Sequence, residues 1–159
     1  IANSNLIEKC SQNFDKVYLS TGASTESELI DAVQILKNNK KEFVLMHCVS
    51  TYPCNDENVN LPRIETLKSM HNRIGFSDHS SDIFSSVLSL QLGVEAIEKH
   101  FTIDNNLPGR DNKFAILPAE MKKLSEFIKR FNKINRDHGI NYQSCEKDTV
   151  EIYRGRWSK

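Results

Sequence analysis

The sequence has no excess of charge of either sign, because its 21 Lys and Arg residues equal its 21 Asp and Glu residues. Proteins that bind nucleic acid or a membrane surface usually carry a basic excess, so this balance argues against both partners. Long hydrophobic runs are also missing, and no stretch approaches the roughly 20 apolar residues that a membrane span needs. Residues 1–16 are too polar and too acidic for a signal peptide. We therefore expect neither nucleic acid nor a membrane as a partner.

Cysteine is scarce and shows no pairing pattern. The four cysteines are Cys10, Cys48, Cys54 and Cys145, and none belongs to a C-x-x-C motif. A disulfide framework does not fit this chain length and cysteine density. Cys48 ends a predicted buried strand, so it is expected to be a small core residue or a reduced thiol. This cysteine usage predicts a cytoplasmic protein.

Four short apolar runs alternate with helical patterns. The runs cover residues 16–20, 43–48, 73–77 and 95–100. Alternating strands and helices predict an α/β fold with a parallel sheet, which gathers the carboxyl end of every strand at one rim. Folds of this kind keep their chemistry at that rim.

The sequence also marks where the intervening helices begin. Thr25 and Glu28 form a capping box, and Pro62 suits the first turn of a second helix. Asp82 can cap a third helix, and a strongly amphipathic helix starts at Pro118. Residues 139–159 lack clear periodicity and are interpreted as a tail or linker.

Four strands with their helices amount to half of an eight-stranded barrel, and the chain starts with Ile rather than Met. We therefore expect a segment of a longer polypeptide. Residues 1–138 would form the half-barrel, and residues 139–159 would lead toward a further domain.

Two predicted strands end in residues that could bind a metal ion. Side chains two apart on a strand share a face, so Ser77 and His79 should point together, as should Glu98 and His100. Two imidazoles with open positions suit a divalent metal that must still bind substrate or water. Glu98 could orient His100, or act as a base for a water molecule.

Other interpretations of the histidines stay open at this point. A single histidine at a strand end is more often a hydrogen-bonded polar residue than a ligand. His47 also lies near a strand end and competes for the ligand role. His71 and His138 fall on helical or helix-terminal segments and are expected to be solvated.

A second group of polar residues could bind an anion. Small hydroxyls and a glycine follow the strands at Ser20-Thr21-Gly22, Ser50 and Ser77. Free backbone N–H groups and a helix N-terminus favour an oxyanion there, which predicts a phosphate site. The alternative is that these residues only turn a strand into a helix.

The loop at residues 107–111 is the third candidate. Its Pro-Gly pair makes a turn, and Asp111 could accept hydrogen bonds from sugar hydroxyls. A solvated surface turn is the alternative.

Five motifs in order resemble the sialic acid synthase family, the N-acetylneuraminate synthases of the NeuB type. They are LSTG at 19–22, MHCVSTYP at 46–53, GFSDHS at 75–80, IEKHFT at 97–102 and PGRD at 108–111. The resemblance runs over about residues 6–128. It implies a (β/α)8 TIM barrel, of which this chain supplies roughly the last four βα units.

The resemblance also implies a reaction and its residues. Members condense phosphoenolpyruvate with an N-acetylated hexosamine aldehyde such as N-acetylmannosamine, release phosphate, and use Mn2+ or Mg2+. The family's metal-binding histidines fall on His79 and His100, which makes His47 a structural residue. With Glu98, these two histidines are the expected catalytic residues. The family's phosphoenolpyruvate contacts fall on Ser20, Ser50 and Ser77, with Tyr52 close by as a further substrate-binding residue, and its sugar-binding acid falls on Asp111.

Two departures from the family pattern limit what the resemblance implies. Arg110 stands where many members have Pro, and residues 112–115 differ from the usual continuation, so a legionaminate- or pseudaminate-type acceptor is an alternative. The lysines of the first half-barrel and the C-terminal antifreeze-like domain of relatives are absent from this sequence. That domain closes the partner's site in a dimer, so we expect a homodimer of the full-length protein and an inactive isolated segment.

Two further functions remain as alternatives. One is a metal-dependent aldolase or hydrolase on the same barrel, which would use the histidines without a phosphate site. The other is a non-catalytic partial barrel that binds a metal or an acetamido sugar, or serves as a scaffold. The intact set of candidate residues argues against a degenerate barrel.

Overall fold

The computed structural model describes residue 1 and residues 3–157. Four parallel strands form one sheet in the order in which they occur along the chain. The strands are β1 (Lys16–Ser20), β2 (Glu42–His47), β3 (Ile74–Asp78) and β4 (Ala96–Lys99). Each coincides with a predicted apolar run to within one residue at either end. The predicted α/β class, with half of a barrel's strands, is confirmed.

Helices precede, connect and follow the strands. They are α1 (Ser4–Asn13), α2 (Glu26–Asn38), α3 (Arg63–Lys68), α4 (Phe84–Ser89), α5 (Pro118–Ile134) and α6 (Lys147–Tyr153). The predicted capping box is present: the backbone N–H of Thr25 donates to Glu28 at 2.7 Å, and the Thr25 hydroxyl accepts from the Glu28 N–H. The N-cap of α4 is Ile83 rather than Asp82, but the Asp82 carboxylate accepts from the N–H of Phe84, the first residue of the helix, at 2.8 Å. Within the described residues, no helix is long and apolar enough to cross a membrane.

The chain divides into two compact units, Ile1–Ile128 and Lys129–Lys159. The second unit contains the end of α5 and all of α6. Residues 139–159 show no periodicity in sequence, yet part of that segment is helical. Helix α6 has only seven residues and buries none of them, so it carries no apolar stripe that a pattern search could find. The predicted boundary after residue 138 stays a prediction.

The main core lies between the sheet and its helices. Alternate residues of β1, β2 and β3 point to this side and pack against α2 and α3. Its most buried members are Leu36, Leu45, Ile64, Leu67 and Ile74. The opposite face of the sheet therefore presents the other set of alternate residues, which leads to the candidate site.

Gly75 occupies a tight position on that opposite face. It pairs in register with Met46 on one side and Ala96 on the other. A Cβ atom at Gly75 would overlap the Met46 sulfur and lie 2.9 Å from its methyl carbon and 3.0 Å from the Ala96 carbonyl oxygen. Glycine is thus required here for close packing between neighbouring strands.

Gly75→Ala in the full-length protein is expected to lower the free energy of unfolding by about 1–3 kcal/mol, the usual cost of overfilling a packed site. Thermal denaturation measures the loss. The double variant Gly75→Ala with Met46→Ala should lose less free energy of unfolding than the two single variants lose in sum, because the shorter side chain at position 46 makes room for the new methyl group. Strictly additive losses would contradict the overlap.

Candidate active site

The two predicted metal-binding histidines lie side by side at the carboxyl ends of neighbouring strands. His79 directly follows β3 and His100 directly follows β4. Their ring centres are 5.5 Å apart, with the ring planes at 75°. An ion held about 2 Å from a ring nitrogen lies roughly 3 Å from that ring's centre, so two rings on one ion have centres about 5 Å apart. The spacing therefore fits one shared divalent ion.

His79 is buried and is held through its Nδ1 atom. Its Nδ1 lies 2.8 Å from the Val49 carbonyl oxygen, and its Nε2 lies 3.2 Å from the Ser77 hydroxyl. A hydrogen on Nδ1 that donates to Val49 leaves the Nε2 lone pair available on the other side. This anchoring by a carbonyl is typical of histidines that bind metals.

His100 is half-buried and is held less tightly. Its Nδ1 lies 3.5 Å from a carboxylate oxygen of Asp111, and its ring meets Phe114 edge-on at 5.2 Å between centres. The predicted sugar-binding acid thus stands next to a predicted metal ligand. Phe114 is a neighbour that the sequence did not single out.

Glu98 is hydrogen-bonded to Ser77 and not to His100, although one of its two expected roles was to orient that histidine. Ser77 and Glu98 are register partners on β3 and β4, and the Ser77 hydroxyl donates to Glu98 at 2.7 Å. Among the described residues, the carboxylate beside His100 is that of Asp111 rather than Glu98. The expectation that Glu98 orients His100 is therefore not supported. Its exposed carboxylate remains available to accept a proton from water.

A cavity of about 570 Å³ opens beside His100. Its wall includes Tyr52, Arg110, Asp111 and Lys113. The Tyr52 ring lies 4.3 Å from the His79 ring and 5.6 Å from the His100 ring, between centres. This volume is in the range that binds small molecules. Tyr52 and Asp111 therefore share one cavity with His100.

The predicted anion-binding residues form a cluster at the ends of β1 and β2. The Ser20 hydroxyl lies 3.0 Å from the Cys48 sulfur. A Cβ atom at Gly22 would overlap the Ser50 hydroxyl and lie 2.6 Å from the same sulfur. Ser20 and Ser50 thus both lie near Cys48, whereas Ser77 lies next to His79. Cys48 is buried as expected, but its contacts with the serine cluster were not predicted.

Asp78 and Lys99 form a buried ion pair on the helix side of the ends of β3 and β4. Burial alone would raise the pKa of Asp78, but hydrogen bonds from Ser86 and Ser80 and the charge of Lys99 outweigh it and hold that pKa below its ordinary value. Burial lowers the pKa of Lys99, and Asp78 opposes part of that change. The pair is 3.2 Å apart, from Nζ to Oδ2.

His47, the competing histidine, lies away from the histidine pair. It is fully buried, its Nε2 lies 2.8 Å from the Val59 carbonyl oxygen, and its ring stacks on Phe76. Burial lowers its pKa because the charged imidazolium is disfavoured there, and the bond to Val59 opposes this only in part. These contacts are those of a structural residue.

The solvated location expected for His71 is wrong. Its Nε2 lies 2.8 Å from the Phe43 carbonyl oxygen, and its ring stacks on the Phe43 ring with 3.8 Å between centres. The partner lies 28 positions earlier, so no local pattern reveals it. His138 is exposed, as expected.

The lowered pKa of His47 predicts how stability depends on pH. The unfolded chain binds a proton near pH 6.5 and the folded chain only at lower pH, so stability is fully present above about 6.5 and falls as the solution is acidified. His47→Gln should make the slope of stability between pH 7 and 5 shallower, by up to about 1.4 kcal/mol per pH unit. Thermal denaturation across pH measures this, with His138→Gln as the exposed control. Equal slopes for wild type and His47→Gln would contradict the assignment.

The described residues contain no group of three or more His, Cys, Asp and Glu side chains arranged to hold a metal ion. The histidine pair offers two nitrogen donors, so an ion bound there would keep coordination positions that the described residues do not fill. An open position is what a catalytic metal needs and a structural metal does not have.

The chain is similar in sequence to one protein family and to several known proteins. The NeuB family model matches residues 1–139. An uncharacterized protein of Methanocaldococcus jannaschii is 42% identical over 131 residues, which are 81% of this chain and 39% of the relative. The N,N'-diacetyllegionaminic acid synthase of Campylobacter jejuni is 32% identical over 158 residues, 97% of this chain and 47% of that enzyme.

A solved structure matches nearly the whole chain. It is the N-acetylneuraminic acid synthetase of Leptospira borgpetersenii in complex with citrate, with a TM-score of 0.84 and 38% identity over 98% of this chain and 54% of that one. The chain spans about half or less of the length of these relatives. Its four βα units correspond to the C-terminal part of a TIM barrel, and the chain belongs to the NeuB family.

Proposed function

We propose that this chain carries the metal and acceptor half of a nonulosonate synthase active site. The full-length protein would condense phosphoenolpyruvate with an N-acetylated hexosamine aldehyde such as N-acetylmannosamine and release phosphate. The observation that carries the proposal is the histidine pair, with ring centres 5.5 Å apart, beside a cavity that holds Tyr52 and Asp111. The named relatives that make legionaminic and neuraminic acids support the same class of product.

His79 and His100 would hold the divalent ion, for which we propose Mn2+ or Mg2+. The donor set fits, because His79 is anchored through Nδ1 and the ring spacing suits one ion. Such an ion, when bound, polarises a carbonyl group as a Lewis acid.

The serine cluster is proposed to bind phosphoenolpyruvate. Hydroxyls of Ser20 and Ser50 can donate to its phosphate or carboxylate oxygens, while the Thr21 N–H donates to the Met46 carbonyl at 2.9 Å and fixes the loop. Ser77 lies on β3, the strand next to β2, and His79 follows the same strand. Holding both substrates in one orientation removes several kcal/mol from the barrier, because their relative motion is already restricted.

The acceptor is proposed to bind in the cavity beside His100. Asp111 accepts hydrogen bonds from sugar hydroxyls, and Tyr52 packs against the sugar. The C=C electrons of phosphoenolpyruvate form the bond to the aldehyde carbon, the aldehyde C=O double bond opens as its oxygen takes up a proton, and C2 acquires oxocarbenium character. Water adds to C2 and gives a proton to Glu98, which balances the proton added to the aldehyde oxygen. The C2 hydroxyl then becomes the ketone as the C–O bond to phosphate breaks, and its proton leaves with inorganic phosphate.

A direct assay tests this reaction. The full-length protein is incubated with phosphoenolpyruvate, Mn2+ and a panel of N-acetylated hexosamines, including legionaminate- and pseudaminate-type precursors. We expect one phosphate for each 2-keto acid formed, with three more carbons than the acceptor. Turnover of a sugar without phosphoenolpyruvate would instead favour a metal-dependent aldolase.

The isolated 159-residue chain is proposed to be inactive. Within the described residues, β1 pairs only with β2 and β4 only with β3, so both edges of the sheet are open. We expect no phosphate release from this segment under conditions in which the full-length protein turns over. Measurable synthase activity of the segment would contradict this.

For the full-length protein we propose a cytoplasmic homodimer.

A further inference from the structure

Asp78 and Lys99 form a buried ion pair directly beside the two metal-binding histidines. They precede His79 and His100 in sequence and are register partners on β3 and β4. Their side chains are only 1% and 2% exposed, and Lys99 Nζ lies 3.2 Å from Asp78 Oδ2. By strand alternation they point to the helix side while the histidines point to the opposite side.

Serines complete the hydrogen bonds of the Asp78 carboxylate. Oδ2 accepts from the hydroxyls of Ser85 at 2.7 Å and Ser86 at 2.5 Å, and Oδ1 accepts from the Ser80 N–H at 2.9 Å. Ser85 and Ser86 lie in the first turn of α4. The carboxylate therefore connects the end of β3 to the helix that follows it.

The Lys99 ammonium likewise has an acceptor for each of its hydrogens. It donates to the Ser80 carbonyl at 2.5 Å and to the Ser80 hydroxyl at 3.1 Å, besides its contact with Asp78. All three of its donors thus have acceptors from β3 or the loop after it. The end of β4 is tied to the end of β3 through this one side chain.

A buried ion pair is weak evidence for stability, because the cost of removing both charges from water offsets their attraction. An apolar pair of similar volume often stabilises as well or better. A buried charged pair whose hydrogen bonds are all made favours one geometry, because any shift leaves a buried charge without its partners.

The position of His100 depends on the register of β4. This strand has only four residues, none of them buried apart from the side chain of Lys99, and within the described residues it pairs with β3 alone. A slip of one residue would move His100 by about 3.3 Å and turn it to the other face. The His100 ring contacts Asp111 at 3.5 Å and meets the Phe114 ring edge-on, and the His100 carbonyl accepts from the Ile116 N–H at 2.9 Å, but none of these contacts joins β4 to β3.

We propose that the Asp78–Lys99 pair is a positioning device that sets the separation of the His79 and His100 rings for one divalent ion. The inference rests on the proposed function. Neither residue touches the substrate, and both act through the histidine that follows them.

The test compares Lys99→Met with Arg73→Met in the full-length protein. Arg73 makes a bidentate ion pair with Glu95, and the two residues lie just before β3 and β4. Arg73→Met therefore removes a cation from the opposite end of the same two strands. Mn2+ affinity is measured by paramagnetic resonance titration, together with kcat, KM and thermal unfolding. We expect Lys99→Met to weaken Mn2+ binding at least tenfold and to lower kcat, and Arg73→Met to change both less than twofold.

Two further variants keep the proposal testable if Lys99→Met folds poorly. The double variant Asp78→Asn with Lys99→Met leaves no unpaired buried charge, so it should unfold near the wild-type temperature and still bind Mn2+ weakly. Lys99→Arg keeps the charge and should retain wild-type affinity. Tight Mn2+ binding by the folded double variant would overturn the positioning role and leave the proposed function intact. A wild type that binds no Mn2+ would contradict the proposed function itself, and this inference with it.

Discussion

Replacing either His79 or His100 with alanine in the full-length protein is expected to lower kcat for phosphate release by about three orders of magnitude. Each variant leaves a single imidazole for the ion, and losing several kcal/mol of carbonyl polarisation corresponds to roughly that factor in rate. Steady-state phosphate release with Mn2+, phosphoenolpyruvate and the accepted hexosamine measures the loss.

The control for both histidine variants is His138→Ala. His138 is exposed and belongs to the second unit of the chain, so its removal should leave kcat and Mn2+ binding unchanged. Equilibrium dialysis should show weak Mn2+ binding for each site variant and wild-type binding for the control. Full activity of His79→Ala or of His100→Ala would remove that residue from the site.

Gly22→Ala is expected to raise the KM for phosphoenolpyruvate about tenfold or more. The new methyl group would overlap the Ser50 hydroxyl and crowd the Cys48 sulfur, which itself touches Ser20. Displacing two hydroxyl contacts worth roughly 0.5–1.5 kcal/mol each corresponds to about that loss of affinity. The KM for the hexosamine should change much less, because the acceptor cavity lies beside His100.

Ala23→Gly is the matched control for the same loop. Ala23 is exposed and has a φ of 49°, a left-handed conformation that glycine adopts more easily. This change should therefore leave the KM for phosphoenolpyruvate unaltered. The double variant Gly22→Ala with Ser50→Ala removes the overlap with the hydroxyl but not the one with the Cys48 sulfur, so it should be more stable than Gly22→Ala without recovering KM. An unchanged KM in Gly22→Ala alone would show that the serine cluster does not bind phosphoenolpyruvate.

The sequence predicted the parts of the site that depend on local rules. Alternation within a strand placed Ser77 with His79, and the shared rim of a parallel sheet placed His100 next to His79. Both arrangements are observed, with Ser77 3.2 Å from His79 and the two rings 5.5 Å apart. The roles of these residues in metal binding stay predictions.

The features that the sequence did not predict depend on contacts between distant segments. The stacking of His71 on Phe43 joins a helix end to a strand that precedes it in the chain. The hydrogen bond of Glu98 to Ser77 depends on strand register, which spacing along the chain does not determine. The same alternation that grouped the histidines also placed Asp78 and Lys99 together on the helix side, so that pair could have been found in the sequence.

Pulsed paramagnetic resonance tests most directly whether His79 and His100 share one ion, with Mn2+ bound to full-length protein prepared once with natural histidine and once with 15N-histidine. A shared ion predicts couplings from two histidine nitrogens that change with the label, and from only one in His79→Ala or His100→Ala. Bound Mn2+ with no histidine coupling, or with a coupling that survives both substitutions, would contradict a shared ion at this pair.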